Sequence, residues 1–166
     1  MQKRIIFISG IHGVGKSTFC RNLIKKNKKI KYESCSNLLL MHKNLNYKEN
    51  KNVDDVNKNQ QILFEAIKIF FNDSDLYLLD GHFCLINNQD EIVNIPSYLF
   101  EKLDLISIIL LKNTPENIFL NLKKRDNKEY DINFVKTFQH NEILRAKYIS
   151  KKLNVELIEI DLNLIN

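Results

Sequence analysis

The feature that most constrains the fold is an eight-residue stretch near the N-terminus, GIHGVGKS, at positions 10–17. It matches the pattern GxxxxGK[ST], and its glycines allow backbone torsions and close approaches that a side chain would forbid. A continuous apolar run at residues 5–8 precedes it and predicts a strand buried on both faces of a parallel sheet. The residues that follow, about 16–26, place their apolar side chains on one helical face. The stretch therefore lies between a strand and a helix, the context in which such a loop binds phosphate.

A loop of this kind surrounds phosphate groups with its N–H groups and with the positive N-terminus of the next helix. Lys16 is predicted to reach the β- and γ-phosphate oxygens, and Ser17 to supply a hydroxyl to Mg²⁺. We therefore predict that the chain binds ATP and Mg²⁺. The predicted ATP-binding residues are Gly10, His12, Gly13, Val14, Gly15, Lys16, Ser17 and Thr18.

An acid at the end of another predicted strand supports this prediction. Residues 76–79 form a short apolar run, and Asp80 follows it directly. This is the position of a Walker B acid, which binds Mg²⁺ directly or through water, so Ser17 and Asp80 are the predicted metal ligands. The alternative for Asp80 is a cap on the next turn. His82 either orients water or a phosphate, or is a buried turn histidine.

Strands and helices alternate along the rest of the chain. Further strands are predicted near residues 30–32, 105–111 and 155–160. Helices are predicted from about residue 56, after Pro96, after Thr114-Pro115 and after Asp131. The alternation predicts the α/β class, as a three-layer P-loop NTPase fold with a five-stranded parallel sheet. The polar residues 42–59 are expected to be mobile.

Composition excludes several other classes of protein. The 166 residues suit one domain, and no apolar run approaches the roughly 20 residues of a membrane span, so we expect a cytoplasmic protein without a membrane partner. The three cysteines lack CxxC-like spacing and are interpreted as small buried hydrophobes. The net charge of +5 is spread over lysines that do not interleave with aromatics, which makes a nucleic-acid partner unlikely and suits a small anionic ligand.

The known classes of P-loop protein can be compared with this chain. A GTPase should carry an NKxD-type base reader, and residues 127–130 fail that spacing. An AAA+ motor should carry a second acid after the strand-end Asp and a further helical lid domain, whereas here Gly81 follows Asp80. The small size and single predicted domain favour a kinase.

Five segments carry a family resemblance: GIHGVGKST, LLDGH, LINNQDEIVNIPSYLFEKL, IILLKNTPENIFLNLKKRD and HNEILRAKY. In this order they resemble the archaeal-type adenylate kinases and their eukaryotic nuclear relatives, and Asp80-Gly81-His82 is similar to the DxH Walker B of that family. The resemblance implies one kinase domain over residues 1–166, with a short lid at 121–131 and an acceptor-binding segment at 34–60. It also implies that Arg125 in the lid and Arg145 on the following helix neutralise charge on the transferred phosphoryl group. The chain departs from the family in having a single lid arginine among lysines, and no arginine near residues 36–39 or at Cys84.

The predicted function is transfer of the ATP γ-phosphoryl group to a small acceptor, a nucleoside monophosphate in the first place. The predicted catalytic residues are Lys16, Asp80, His82, Arg125 and Arg145. One alternative is a kinase for a nucleoside, sugar or antibiotic, in which Glu33 or Asp80 would activate a hydroxyl. Another is an ATPase switch that acts on a protein or RNA partner.

Overall fold

Five parallel strands form one sheet. From one edge to the other their order is Ile30–Ser34 (β2), Leu76–Asp80 (β3), Arg4–Ser9 (β1), Leu105–Lys112 (β6) and Glu156–Asp161 (β7). The computed structural model describes residues 3–45, 56–87, 89–126 and 130–165. Its elements, in chain order, are β1 (Arg4–Ser9), α1 (Lys16–Lys26), β2 (Ile30–Ser34), α2 (Cys35–Leu45), α3 (Val56–Phe70), β3 (Leu76–Asp80), β4 (Cys84–Ile86), β5 (Ile92–Asn94), α4 (Ser97–Glu101), β6 (Leu105–Lys112), α5 (Pro115–Asp126), α6 (Ile132–Leu153) and β7 (Glu156–Asp161).

Helices cover both faces of this sheet. Successive side chains of a strand point to opposite faces, so Leu78 and Leu79 of β3 belong to two separate buried clusters. One cluster includes side chains of α2, α3 and α4, the other includes side chains of α1 and α5, and α6 contributes to both. The predicted three-layer α/β fold with a five-stranded parallel sheet is therefore confirmed.

The register of the strands places the predicted site residues at one edge of the sheet. Ile8 of β1 and Ser34 of β2 both lie opposite Asp80 of β3. The connection from β3 to β6 passes over β1, which lies between these two strands. Ligands of open parallel sheets bind outside the carboxyl ends of the strands, where the direction of winding reverses. The loop after β1 lies at this point.

Two of the predicted helix starts have the expected side-chain caps. The Thr114 hydroxyl accepts a hydrogen bond from the Asn117 N–H at 3.2 Å, at the start of α5. The Asp131 carboxylate accepts one from the Asn133 N–H at 2.8 Å, at the start of α6. Such caps satisfy N–H groups that have no partner within the helix. Both predictions are confirmed.

The segment expected to be mobile is partly helical. α2 runs to Leu45 and α3 begins at Val56, so both ends of residues 42–59 lie in helices, while residues 46–55 lie outside the described part of the chain. His42 is 4% exposed, and its Nε2 lies 3.1 Å from Glu65 Oε2. The start of α3 agrees with the predicted helix, whereas the helical residues at the end of α2 were not predicted, because their polar composition hides the contact with α3 that stabilises them.

The chain between Asp80 and Pro96, where the sequence pattern predicts no strand, contains a small hairpin. β4 and β5 pair antiparallel, with Cys84 opposite Asn94. Three-residue strands are too short to produce a detectable alternation. Across the described residues, no helix is both long enough and apolar enough to cross a membrane.

Candidate active site

The loop after β1 packs so closely that its glycines have no room for side chains. Gly13 and Gly15 have φ values of 80° and 117°, a region that favours glycine. A Cβ on Gly13 would lie 2.7 Å from Leu122 Cγ of α5, and one on Gly10 would lie 2.8 Å from the Leu111 carbonyl oxygen of β6. The loop thus rests directly on β6 and α5, with its backbone turned towards the edge of the sheet.

Lys16 is buried at the base of this loop, with 7% of its surface exposed. Its Nζ donates to the carbonyl oxygens of Gly10 at 2.6 Å and Ile11 at 3.3 Å, and lies 3.8 Å from Asp80 Oδ1. Burial lowers the pKa of Lys16, and the carboxylates of Asp80 and Glu142 oppose this effect. The ammonium group is the positive charge that the sequence predicted at this position.

Asp80 lies beside the hydroxyl that was predicted to share a metal ion with it. Its Oδ2 accepts hydrogen bonds from Ser17 Oγ at 3.4 Å and from the Tyr32 hydroxyl at 3.1 Å. Burial raises the pKa of Asp80, while Lys16 and these two hydroxyls oppose the shift. Burial also raises the pKa of Tyr32, to about 12. A carboxylate and a hydroxyl placed side by side are oxygen donors suited to a hard divalent cation such as Mg²⁺.

Two histidines face one another across the top of the loop. The rings of His12 and His82 have centroids 4.1 Å apart and are inclined by 43°. Burial lowers the pKa of His82 well below its ordinary value, with Lys16 and His12 adding to the effect and a hydrogen bond to the Gly10 backbone opposing it. His82 is therefore neutral at physiological pH, and can donate or accept a hydrogen bond without adding charge.

These groups line one cavity of about 450 Å³, which we call the phosphate cavity. Its lining residues are His12, Gly13, Gly15, Lys16, Ser17, Thr18, Ser34, Ser36, Asp80, His82, Asn121 and Arg125. Most of the predicted site residues are thus brought together. Gly10 belongs to the loop but does not line this cavity, and its N–H donates to Glu142. Val14 lines a neighbouring cavity instead.

The two predicted arginines occupy different places. Arg125, in the last turn of α5, lines the phosphate cavity. Arg145 is not among the residues lining that cavity. Its Nη2 donates to the Ile95 carbonyl oxygen at 2.8 Å, and its guanidinium carbon lies 4.8 Å from the centroid of the Tyr148 ring. A catalytic role for Arg145 stays a prediction, and the contacts in this structure join α6 to the chain before α4.

A second cavity, of about 460 Å³, extends the phosphate cavity along α1. The two cavities share Gly15, Thr18 and Asn121. The second is lined by apolar groups, including Phe19 and Leu162, together with polar side chains. It contains loop residues and is not lined by Asp80. We call it the donor cavity, after the phosphoryl donor that is proposed for it below.

A third cavity, of about 250 Å³, opens from the other side and is mainly apolar. It shares His12, Ser36 and His82 with the phosphate cavity. The rest of its lining comes from β1, α2, α3, the chain around β4 and the region of α4: Phe7, Cys35, Leu39, Leu63, Gly81, Leu85, Ile95, Leu99, Phe100 and Leu103. We call it the apolar cavity.

Sequence reasoning missed several residues of this site. Asn121 donates from Nδ2 to the Gly13 carbonyl oxygen at 2.8 Å, and Tyr32 bonds to Asp80, but neither carries a motif. Glu142 of α6, which is 1% exposed, lies directly behind the loop. Its signal was present in the sequence, because it lies at helical spacing on the inward face of α6 with Phe138 and Ala146. A carboxylate on such a face calls for buried partners.

Fold and site together define a P-loop nucleotide-binding protein with a kinase-like fold. A family model described as an AAA domain, AAA_17, matches residues 9–139, and the chain belongs to that family. In this chain Gly81 follows Asp80, at the position where an AAA+ motor is expected to carry a second acid. Among curated proteins, none matches the sequence significantly.

Solved structures share the fold at low sequence identity. A gluconokinase from Sinorhizobium meliloti 1021 superposes with a TM-score of 0.51 at 10% identity, over 97% of this chain and 83% of its own. An uncharacterized protein from Eubacterium ventriosum ATCC 27560 gives a TM-score of 0.50 at 10% identity, over 98% of this chain and 91% of its own. At this identity the likeness concerns the fold.

Proposed function

We propose that the chain is an ATP- and Mg²⁺-dependent phosphotransferase whose acceptor is a small molecule, specifically a nucleoside monophosphate. The observation that carries this proposal is the sequence of three connected cavities. The phosphate cavity lies in the middle, with the donor cavity on one side and the apolar cavity on the other. Two ligands could therefore meet end to end over the loop. The AAA_17 match and the gluconokinase likeness support a kinase in general.

The donor side fits ATP and Mg²⁺. Gly13 and Gly15 line the phosphate cavity without a side chain, and Ser17 and Asp80 provide adjacent oxygen ligands for Mg²⁺. Bound Mg²⁺ supplies charge neutralisation on the phosphate oxygens. Lys16 would bind the same oxygens, and the donor cavity would hold the nucleoside. Asn121, which contacts the loop at the junction of both cavities, would orient the two parts relative to each other.

The residues of the chain act by positioning and by electrostatic stabilisation. Lys16 and Arg125 place two cations around one volume, and the Arg125 guanidinium has the planar geometry that suits phosphoryl oxygens. His82, neutral and beside His12, would hydrogen-bond a phosphoryl oxygen or the incoming acceptor. Phosphoryl transfer needs little more, because it proceeds mainly through alignment and charge stabilisation.

The apolar cavity indicates the kind of acceptor. Leu63, Leu99 and Phe100 offer few hydrogen-bond partners, and a polyol buried there would leave hydroxyls unpaired at roughly 1–3 kcal/mol each. A planar base can instead bury its faces against these side chains. The opening past Ser36 and His82 would direct the group attached to such a base into the phosphate cavity.

Among the residues that the structure describes, Asp80 is the one carboxylate that lines the phosphate cavity, which supports a phosphate acceptor. Glu33, the predicted base for a hydroxyl acceptor, is not among the lining residues, and its Oε2 accepts a hydrogen bond from Asn37 Nδ2 at 2.7 Å. An acceptor phosphate needs no general base.

One observation favours a second candidate, a kinase that phosphorylates a hydroxyl of a nucleoside. Asp80 lines the phosphate cavity, and burial raises its pKa, which makes it a better base. In addition, none of the residues that line the apolar cavity is an arginine or a lysine. A neutral acceptor would suit that lining.

An acceptor panel tests the proposal. The four common nucleoside monophosphates, their nucleosides and gluconate are each incubated with Mg²⁺ and ATP labelled in the γ-phosphate, and labelled products are separated. We expect a labelled nucleoside diphosphate and equal activity in Glu33→Gln. Label only on a nucleoside or on gluconate would instead establish a hydroxyl acceptor, and loss of activity in Glu33→Gln would then identify Glu33 and not Asp80 as its base.

A further inference from the structure

A single buried carboxylate connects the two loops of the phosphate cavity from behind. Glu142 of α6 is 1% exposed. Its Oε1 accepts a hydrogen bond from the Gly10 N–H at 3.2 Å, and its Oε2 accepts one from the Cys84 N–H at 2.8 Å. The Phe83 N–H lies within reach of both oxygens, at 2.9 and 3.0 Å. Gly10 begins the P-loop, whereas Phe83 and Cys84 follow His82.

The chemistry of these partners suits an ionised carboxylate. All three are backbone N–H donors, and an ionised carboxylate only accepts. Burial raises the pKa of Glu142, while the N–H groups and the Lys16 ammonium oppose this by favouring the charged form. A buried carboxylate is tolerated only with such a complete set of partners, and charge-assisted hydrogen bonds are stronger than neutral ones.

The two loops held by Glu142 carry groups of different function. The Gly10 carbonyl oxygen accepts from Lys16 Nζ at 2.6 Å, so the orientation of Gly10 bears on the position of the lysine. Phe83 directly follows His82, whose side chain lines both the phosphate and the apolar cavities. No other contact described in the structure joins both loops to α6 through one side chain.

We propose that Glu142 is a positioning residue, which holds the start of the P-loop and the chain after His82 in one fixed arrangement and so prepares the cavity for triphosphate. It acts through the backbone and touches neither ligand. The proposal rests on the proposed function only in naming Mg²⁺ and ATP as the ligands.

Glu142→Gln is the informative variant because it keeps the shape and halves the accepting capacity. The amide oxygen can serve Gly10 and Phe83 or else Phe83 and Cys84, but the amide nitrogen is itself a donor and cannot accept from the remaining N–H. Ile149→Val is the matched control, since Ile149 lies fully buried on the same helix and its aliphatic side chain cannot accept a hydrogen bond from either loop. Both variants lose stability, and only the first loses the connection between the loops.

The glycine content of the chain provides a direct readout. Its four glycines are Gly10, Gly13, Gly15 and Gly81, all in the two loops of the site. Protein labelled with ¹⁵N-glycine therefore gives at most four backbone amide signals in NMR. In protein without nucleotide, we expect Glu142→Gln to shift the Gly10 signal and to speed its hydrogen exchange at least tenfold, because the Gly10 N–H either loses its partner or exchanges a carboxylate for a more weakly accepting neutral amide. The Ile149→Val variant should leave this signal in place.

Binding is measured on the same proteins by calorimetry with Mg²⁺ and a non-hydrolysable ATP analogue. We expect the Kd to rise at least tenfold in Glu142→Gln and to stay within twofold in Ile149→Val. A Gly10 signal that moves in Glu142→Gln while the Kd stays within twofold of wild type would overturn the proposal and leave Glu142 a structural residue. Should Glu142→Gln not fold, Glu142→Asp takes its place. That variant keeps the charge with a shorter reach, and a wild-type Kd alongside a displaced Gly10 would again overturn the proposal. A failed acceptor panel leaves both readouts intact, so the two proposals fail separately.

Discussion

Lys16 is the residue whose environment defines the donor site most clearly. It is almost fully buried, its Nζ contacts two carbonyl oxygens of its own loop, and it lies 3.8 Å from the Asp80 carboxylate. Burying an ammonium group is costly unless it is paired, so these partners retain the charge where a triphosphate would need it.

Replacing Lys16 with alanine should weaken binding of ATP and Mg²⁺ by about 10- to 100-fold, because a hydrogen bond to a charged group is worth roughly 1.5–3 kcal/mol. Isothermal titration of the folded variant provides the measurement. Lys25→Ala, on the exposed side of α1, is the control and should bind normally. Unchanged affinity in Lys16→Ala would remove the P-loop from the account of binding.

Asp80 should affect turnover more than binding. The asparagine variant keeps the hydrogen bonds from Ser17 and Tyr32 in part but loses the negative charge. We expect kcat to fall by roughly 10²-fold or more while the Kd for ATP changes only a few-fold, since the metal ligand acts mainly on charge that develops during transfer. Asp75→Asn, before the start of β3, provides the control. Turnover within a few-fold of wild type would make Asp80 a turn cap.

At the scale of elements, the clearest successes of the sequence prediction are those with local signals. β1, the P-loop and α1 follow one another with a motif of fixed spacing, and α1 begins at Lys16 as predicted. α2 starts at Cys35 immediately after β2, and the Ser34 hydroxyl caps it by accepting a hydrogen bond from the Asn37 N–H at 3.1 Å, but a serine at the end of a strand does not by itself predict a helix. Its stability comes from tertiary contacts, such as the burial of Leu38 in the core. These contacts do not appear in the pattern of a single segment.

The C-terminal end of α5 provides the test of transition-state stabilisation. Arg125 lines the phosphate cavity, and its neighbour Lys123 is exposed on the same turn without lining it. Arg125→Lys keeps the charge but loses the planar fork. We expect kcat to fall roughly 10²-fold or more, since arginine fingers are worth ~10³–10⁵, with little change in the Kd for ATP. Steady-state kinetics on Arg125→Lys and on the control Lys123→Ala provide the measurement, and equal kcat values would contradict the role. Arg145→Lys, measured in the same way, tests whether the arginine that donates to the Ile95 carbonyl oxygen contributes to catalysis.

An ion-pair clamp holds β7 against its neighbours. Glu159 accepts hydrogen bonds from Lys112 of β6 at 2.9 Å and from Lys147 of α6 at 3.3 Å. These partners lower the pKa of Glu159 from its ordinary value of 4.5. The stability that they contribute is therefore fully present above pH 4.5, and it is lost as the pH falls through the lowered pKa of the folded protein. Because the Glu159 carboxylate is partly exposed, Glu159→Gln should lower the free energy of unfolding by at most about 1 kcal/mol.

Urea unfolding of wild type and Glu159→Gln at pH 7 and at pH 4 measures this contribution. The difference in the free energy of unfolding should shrink at the lower pH and at high salt. Glu156→Gln, an exposed position on the same strand, should show no such dependence. A difference that is the same at both pH values would mean that the clamp contributes no electrostatic stabilisation.

At the scale of the whole molecule, the site is an assembly of segments distant in sequence. The P-loop and Asp80 were predictable because a motif and a strand end mark them. Tyr32 and Asn121 were not predicted, because their importance arises only when β2 and α5 pack around the loop. Glu142 was also missed, although its place on the inward face of α6 was a signal that it has buried partners, because its contacts with the loop arise only in the folded chain. The three connected cavities are likewise a property of the folded chain. They turn a prediction of phosphate binding into a proposal about two ligands that meet.

The central claim is that the γ-phosphoryl group of ATP moves to an acceptor and not to water. The most direct measurement follows its fate by ³¹P NMR, in wild-type protein with Mg²⁺, ATP and a mixture of the four nucleoside monophosphates. The account predicts that each ADP formed from ATP is matched by one nucleoside diphosphate formed from the acceptor, which means two ADP for each ATP if the acceptor is AMP. Inorganic phosphate should be a minor product, and Lys16→Ala should abolish formation of both diphosphates. Release of inorganic phosphate at the same rate with and without the nucleotides, with no phosphorylated acceptor, would contradict the account and identify the chain as an ATPase switch.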